Sequence, residues 1–450
     1  MSVPVQMEFN FESVSTVPHR AKQEIETYDP LKWNWVEAVV WTERMLAALG
    51  NGVKGGKWYS LIDKVYNRQT LEAAWKRVAA NRGAAGVDKV SIERFRSNAQ
   101  YYLEELERDL CKEAYRPCPV RRVYIPKGNK KTRPLGIPTV KDRIVQTALK
   151  MVLEPIFEKE FLTCSYGFRP KRGCKDALRE VDRLLKEGYT WVVDADIKSY
   201  FDTIPHDLLM NCVRAKVSDG KILQLIELFL NQGIMEDMKC WNPAKGTPQG
   251  AVLSPLLANV YLHQLDLALR RCGHKMIRYA DDFVVLCQSQ EEAQTALAEI
   301  QEWTEEYDLQ LSPEKTHVGD SLQEGHGFQF LGYRFEADGR YVRSKSLKKF
   351  KDKIRSRTRR TRGDSIEQII ADINPSIKGW FEYFKHAHHH TFSSLDGLIR
   401  RRLRAILGKQ RKRPGSGKTH ADHRRWPNAF FAERGLFTMH KAYVSACRSR

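Results

Sequence analysis

The stretch Met276-Ile277-Arg278-Tyr279-Ala280-Asp281-Asp282-Phe283-Val284-Val285-Leu286 decides the fold. Two apolar runs flank a short turn that carries adjacent carboxylates, a pattern that predicts a β-hairpin with Asp281 and Asp282 at its tip. In a half-buried turn the two charges repel unless a cation compensates for them. A hard cation such as Mg²⁺ suits the position, because it prefers one or two carboxylates plus substrate phosphates over a closed protein cage. The chemistry this points to is phosphoryl transfer.

A second strand ends in the same chemistry. Trp191-Val192-Val193-Asp194-Ala195-Asp196 reads as a buried strand running into acids, followed by Ile197-Lys198-Ser199-Tyr200-Phe201-Asp202 and a helix start near Pro205. If this strand neighbours the hairpin, Asp196 and Asp281 can hold two ions about 4 Å apart, the spacing that activates an attacking oxygen and stabilises a leaving one. Period-two alternation places Asp194 and Asp196 on one face, so geometry alone leaves both as candidates.

The 450 residues are 42% hydrophobic and carry a net charge of +20. Such a chain buries a large core and divides into two or three domains. Apolar runs are too short to span a bilayer, and the start lacks a secretory pattern, so a cytoplasmic protein without a membrane partner is expected. The nine cysteines lack a Cys-x-x-Cys pair, which fits reduced thiols. The basic surplus lies wholly in the last quarter: residues 343–362 hold eleven Lys/Arg against one acid, and 398–450 hold fifteen against two. The first 342 residues carry no net charge. Because the basic segments alternate with aromatic and aliphatic residues, they read as a polyanion-binding region.

Along the chain, residues 1 to about 30 read as a flexible lead-in. Helices are expected over 59–81, 92–111, 140–161, 176–187, 207–232, 254–269 and 291–309. A basic β-hairpin is expected over 120–137, with Lys127 and Arg133 on or beside its arms. Helices interspersed with a few strands predict an α+β fold.

Seven motifs stand in order: Gly86-Val87-Asp88, the basic hairpin Lys127 to Pro138, Tyr166-Gly167-Phe168-Arg169-Pro170, Asp194 to Asp202, Thr247-Pro248-Gln249-Gly250, Tyr279-Ala280-Asp281-Asp282 and Phe330-Leu331-Gly332-Tyr333. Together they resemble the group II intron-encoded reverse transcriptase and maturase family, in the form lacking a C-terminal HNH endonuclease domain. The resemblance runs from about Leu71 to the C-terminus. It implies an α+β right-hand polymerase, with fingers and palm over 58–340, followed by a basic α-helical thumb and maturase domain over 341–450 and preceded by a lead-in over 1–57.

By the resemblance, Asp196, Asp281 and Asp282 are the catalytic carboxylates and, with the Ile197 carbonyl, hold two Mg²⁺ ions. Lys127 and Arg133 close on the triphosphate, Phe201 is the steric gate against a 2′-hydroxyl, and Gln249 contacts the nascent pair. Pro248 and Gly250 let the backbone approach the substrate. Phe330, Leu331 and Gly332 match the primer grip, and Arg400, Arg401, Arg402 and Arg404 face RNA. The four histidines His386, His388, His389 and His390 read as a solvated cluster. The implied partners are intron RNA, an RNA template with a DNA primer, dNTPs and a DNA target, with a homodimer left open. The expected function is RNA-directed DNA synthesis with assistance to splicing and retromobility. The alternatives are a domesticated reverse transcriptase in phage defence or beside CRISPR genes, and an RNA-binding maturase without significant polymerase activity.

Overall fold

The computed structural model describes residues 33–128, 131–236, 239–336, 339–413 and 415–448. The described residues form two compact units, each discontinuous in sequence: those within 33–177, 195–283 and 295–316 make the first, and those within 178–194, 284–294 and 317–448 the second. Among the described residues the strands are β1 (Val120–Gly128), β2 (Lys131–Ile137), β3 (Trp191–Asp196), β4 (Ile234–Glu236), β5 (Lys239–Trp241), β6 (Lys275–Tyr279), β7 (Asp282–Cys287), β8 (His317–Asp320), β9 (Phe328–Phe330), β10 (Tyr333–Glu336) and β11 (Gly339–Val342). They form sheets in the orders β2-β1-β4-β5, β6-β7-β3-β8 and β11-β10-β9.

Two long helices, Val140–Glu160 and Ser254–Arg271, carry the core of the first unit. Both bury side chains around most of their circumference, which is why their sequences lack a clean polar face. Thr139 caps the first by accepting from the Asp142 N–H at 3.1 Å. Three helices expected as continuous are broken, and each break has a local cause. Asn67 caps Arg68–Ala80 by accepting from the Gln69 N–H, and Asp219 caps Gly220–Leu230 through Lys221 and Ile222. Asn98 separates Ile92–Ser97 from Ala99–Cys111. Such short polar side chains compete with the helix interior and favour its ends.

The described part of the expected lead-in is packed against the residues that follow it. Trp41 is buried and donates its indole N–H to the Met151 carbonyl at 3.0 Å, with Trp58 edge-on to its ring. Residues 33–57 therefore contribute to the core of the first unit, while residues 1–32 lie outside the described residues. The basic hairpin forms as expected, Arg121↔Ile137 through Gly128↔Lys131, and β1 also pairs with β4.

In the second unit β3 pairs antiparallel with β8, from Trp191↔Asp320 to Asp194↔His317. Helices Ser344–Arg357, Ile366–Phe384 and His390–Gln410 follow. Ser365 and Gln368 close a capping box at the start of the second of these. Aromatic contacts join them: Trp380 stacks on Phe350 at 4.6 Å, and Phe381 meets Phe392 at 5.3 Å. No described helix is long and apolar enough to cross a membrane, and none of the nine cysteines is in a disulfide.

Candidate active site

Arg278, fully buried, is the anchor of the carboxylate turn. Its guanidinium forks onto Asp266, Nε to Oδ1 and Nη2 to Oδ2, both at 2.6 Å. Nη1 donates to Asn259 Oδ1 at 2.9 Å and to the Ala280 carbonyl at 3.0 Å. The pair satisfies a charge that would otherwise be costly to bury, and it ties down the residue before Asp281. Ala280 itself has φ +59°, a conformation a non-glycine side chain adopts at a cost. Strain of this kind collects at functional sites, and here it falls on the residue before Asp281.

Tyr279 hydrogen-bonds Cys174, and that bond, with burial, pushes its phenol up to about 12. On the far side of the turn, the half-buried Asp281 has its carboxyl raised above the ordinary range. Burial is the main cause, the nearby Asp196 carboxylate adds to it, and Arg133 and Lys315 act in the opposite sense. Asp196 is thus near enough to Asp281 to act on its charge. Asp194 faces His317, Oδ2 to Nδ1 at 4.0 Å. Asp282 follows Asp281 and begins β7.

Lys315 belongs to this site and sequence reasoning missed it. Its Nζ lies 2.5 Å from Asp196 Oδ2. The turn that carries it is fixed by the Ser312 N–H donating to the Asp196 carbonyl at 2.8 Å, beside an Ile197↔Leu311 bridge. A lysine ammonium resting on that oxygen shows that the position accepts a cation. With three carboxylates and the following Ile197 carbonyl, the donor set is all oxygen, which fits a hard divalent ion.

A cavity of about 170 Å³ has Phe201, Asp202, Gly246, Thr247, Pro248 and Gln249 in its wall. The Thr247 N–H donates to the Phe201 carbonyl at 2.7 Å. Gly246, at φ +90°, leaves no room for a side chain against the Asp202 backbone. Arg133 Nε donates to Gln249 Oε1 at 2.6 Å, and Gln249 Nε2 reaches Asp202 Oδ2 at 3.4 Å. Burial holds the Asp202 carboxyl above its ordinary value while Arg122 and Arg133 act against that. The predicted nucleotide residues Arg133, Phe201 and Gln249 are thus brought together. Lys127 lies on β1, with a side chain outside the described residues. Gly250 has φ +109°, and an added Cβ would sit 2.4 Å from the Gly136 carbonyl oxygen, so the missing side chain lets these two backbone segments approach closely.

The remaining predicted residues lie in the second unit. Leu331 and Gly332, both with positive φ, form the two-residue turn between β9 and β10, where Phe330 pairs with Tyr333. Tyr383 donates its hydroxyl to the Leu331 carbonyl at 2.8 Å. Of the four arginines assigned to RNA, Arg404 is corrected. It is buried, donates to the Trp426 carbonyl at 2.9 Å and to Asn428 Oδ1 at 2.8 Å, and so belongs to the core. Arg402 binds Thr358 Oγ1 and the Thr358 carbonyl. Arg400 and Arg401 remain partly exposed. His388, His389 and His390 bring ring nitrogens within 4.8 Å of one another, without a Cys or carboxylate in the group.

Residues 125–335 match the family described as reverse transcriptase (RNA-dependent DNA polymerase), and residues 347–426 match the group II intron maturase-specific domain. The chain is 35% identical over 318 residues to protein YkfC of Escherichia coli (strain K12), covering 61% of this chain and 82% of that protein. It is 32% identical over 387 residues to the group II intron-encoded protein LtrA of Lactococcus lactis subsp. cremoris, covering 69% of this chain and 62% of that one. A solved partial Cas6-RT-Cas1–Cas2 complex is 28% identical over 55% of this chain and 41% of its own, with a TM-score of 0.36, too low to bear on the argument. The two domain matches and the two relatives establish that the chain belongs to the group II intron-encoded reverse transcriptase and maturase family, whose catalytic domain is an RNA-directed DNA polymerase.

Proposed function

We propose that this protein copies RNA into DNA by two-ion nucleotidyl transfer and binds a group II intron RNA, assisting its splicing and retromobility. The observation that carries the reading is the shared electrostatic site of Asp196 and Asp281, with a lysine ammonium already resting on one of its oxygens. Asp196, Asp281, Asp282 and the Ile197 carbonyl would hold two Mg²⁺ ions. When bound, these ions supply activation of the primer 3′-hydroxyl and charge neutralisation on the triphosphate.

The chain's own residues do the rest. Arg133 presents a planar guanidinium to the phosphates of a dNTP, with Lys127 as a point charge on the same hairpin. Gln249, oriented by Arg133 and Asp202, meets the nascent pair. Phe201, buried in the cavity wall, crowds the 2′ position of the sugar. Lys315, which pairs with Asp196, would give up that carboxylate to a bound ion. Phe330, Leu331 and Gly332 steady the primer, while Arg400 and Arg401 and the basic helix Ser344–Arg357 bind RNA phosphates. The setting is a cytoplasm, with a DNA target for the copied intron.

Binding of intron RNA tests the second half of this reading. Labelled intron RNA should bind more tightly than an unrelated RNA of equal length and splice faster with protein than without. Equal affinity for both RNAs and no change in splicing would reduce the protein to a polymerase without maturase function.

A further inference from the structure

Phe168 has a backbone that does not suit it. Its φ is +59°, the left-handed region that glycine and asparagine tolerate and a bulky side chain pays for, and the residue is 48% exposed. Folding gains little from a ring so exposed, yet the segment beneath it is fastened on every side.

The Tyr166 N–H donates to the Arg278 carbonyl and the Arg278 N–H to the Cys164 carbonyl, both at 2.9 Å, which adds this segment to the edge of β6. Gly167 lies against the catalytic turn: an added Cβ would be 2.3 Å from the Ala280 nitrogen and 2.9 Å from the Tyr279 carbonyl carbon. The Gly167 carbonyl accepts from Asn259 Nδ2 at 2.8 Å, the same asparagine that binds Arg278. On the other side Arg169 is buried, forked onto Glu158 and donating to the Leu162 and Ser165 carbonyls. Gly167 touches the residue before Asp281, and Phe168 follows Gly167. A rigid cradle therefore displays a strained, exposed aromatic ring beside the carboxylate turn.

We propose that Phe168 is a binding platform for nucleic acid, packing its ring against a nucleotide of the primer–template at the growing end. The inference rests on the polymerase reading and adds a contact to it. The ring has no polar atom, so it selects no base by hydrogen bonding. What it offers is a flat apolar face, which any base or sugar ring can cover and which contributes affinity without sequence preference. The backbone strain is then retained because the position of the ring matters more than the local stability.

The test uses the full chain and a labelled DNA primer on an RNA template. Phe168→Gly suits the left-handed backbone, so its melting temperature should equal or exceed that of wild type. Its primer–template Kd should nevertheless rise about 5- to 150-fold, the loss of one ring stack. Phe168→Trp should keep binding near wild type, and the KM for dNTP should be unchanged in both variants. With p-benzoylphenylalanine at position 168, irradiation should crosslink the protein to nucleotides next to the primer end. If Phe168→Gly binds and extends within twofold of wild type, the platform is refuted while the polymerase reading stands. A lowered melting temperature that accounts for weakened binding, with no crosslink, makes Phe168 structural and also overturns the proposal. Failure of wild type to bind or extend any primer–template overturns both readings.

Discussion

Arg278→Met is the most informative single perturbation of the carboxylate turn. It removes four hydrogen bonds at once: two to Asp266, one to Asn259 and one to the Ala280 carbonyl. Asp266 and Arg278 are both buried, so the substitution leaves a carboxylate without a counter-charge, a change that costs about 3–5 kcal/mol. A double variant, Arg278→Met with Asp266→Leu, removes the stranded charge as well. Buried pairs replaced by apolar residues of similar size are often close to neutral in stability, but here Asn259 and the Ala280 carbonyl still lose a partner, at about 1–3 kcal/mol for an unsatisfied buried group. The double variant should therefore lie about 1–3 kcal/mol below wild type and above the single variant. Urea unfolding measures both. Primer extension should stay low in the double variant even where it is fully folded, because nothing holds Ala280 at its strained φ. A single variant costing under about 1 kcal/mol, or a double variant with wild-type extension, would refute the assigned role of Arg278.

Three further outcomes are expected. Phe201→Ala should admit ribonucleotides several-fold more readily in competition assays, and unchanged sugar selectivity would leave Phe201 as a packing residue only. Asp142 is buried, and burial raises its carboxyl from 3.8 to about 6 despite the 2.5 Å bond from the Tyr115 hydroxyl. Because its folded-state value is raised, its contribution is fully present below about pH 4 and lost as pH rises through 6, by about 3 kcal/mol in all. Asp142→Asn should flatten the stability profile between pH 4 and 6, and a wild-type profile in the variant would reject the assignment. Replacing Arg400 and Arg401 should reduce the slope of log RNA affinity against log salt by about 1 for each phosphate no longer neutralised, whereas Arg404→Met should mainly lower thermal stability. Equal salt slopes with and without Arg400 and Arg401 would move the RNA surface elsewhere.

Much of the site was legible in the sequence because its signals are local. The apolar runs around Tyr279-Ala280-Asp281-Asp282 and before Asp196 set two strands, and a strand end places its carboxylate without reference to the rest of the chain. Strand alternation left Asp194 and Asp196 equal, and it was the motif register that favoured Asp196. The structure adds that Asp196 acts on Asp281 and holds Lys315, which is 119 residues away. Lys315 sits in an ordinary polar turn, Ser312-Pro313-Glu314-Lys315, and only the tertiary fold shows what it touches. Helix breaks at Asn67, Asn98 and Asp219 were missed because apolar periodicity continues across each of them, although the capping side chains of Asn67 and Asp219 were in view. Arg404 shows the converse error. In a run of arginines charge suggests solvent, yet one of them reaches inward to satisfy the Trp426 carbonyl and Asn428.

The central claim is that Asp196 and Asp281 hold the ions for DNA synthesis on an RNA template. It is tested most directly by primer extension with dNTPs and Mg²⁺, comparing wild type with Asp281→Ala after both are shown to be folded and to bind primer–template equally. The account predicts Mg²⁺-dependent synthesis by wild type and none by the variant. Synthesis retained in Asp281→Ala, or wild-type protein that binds primer–template but makes no DNA, would contradict it.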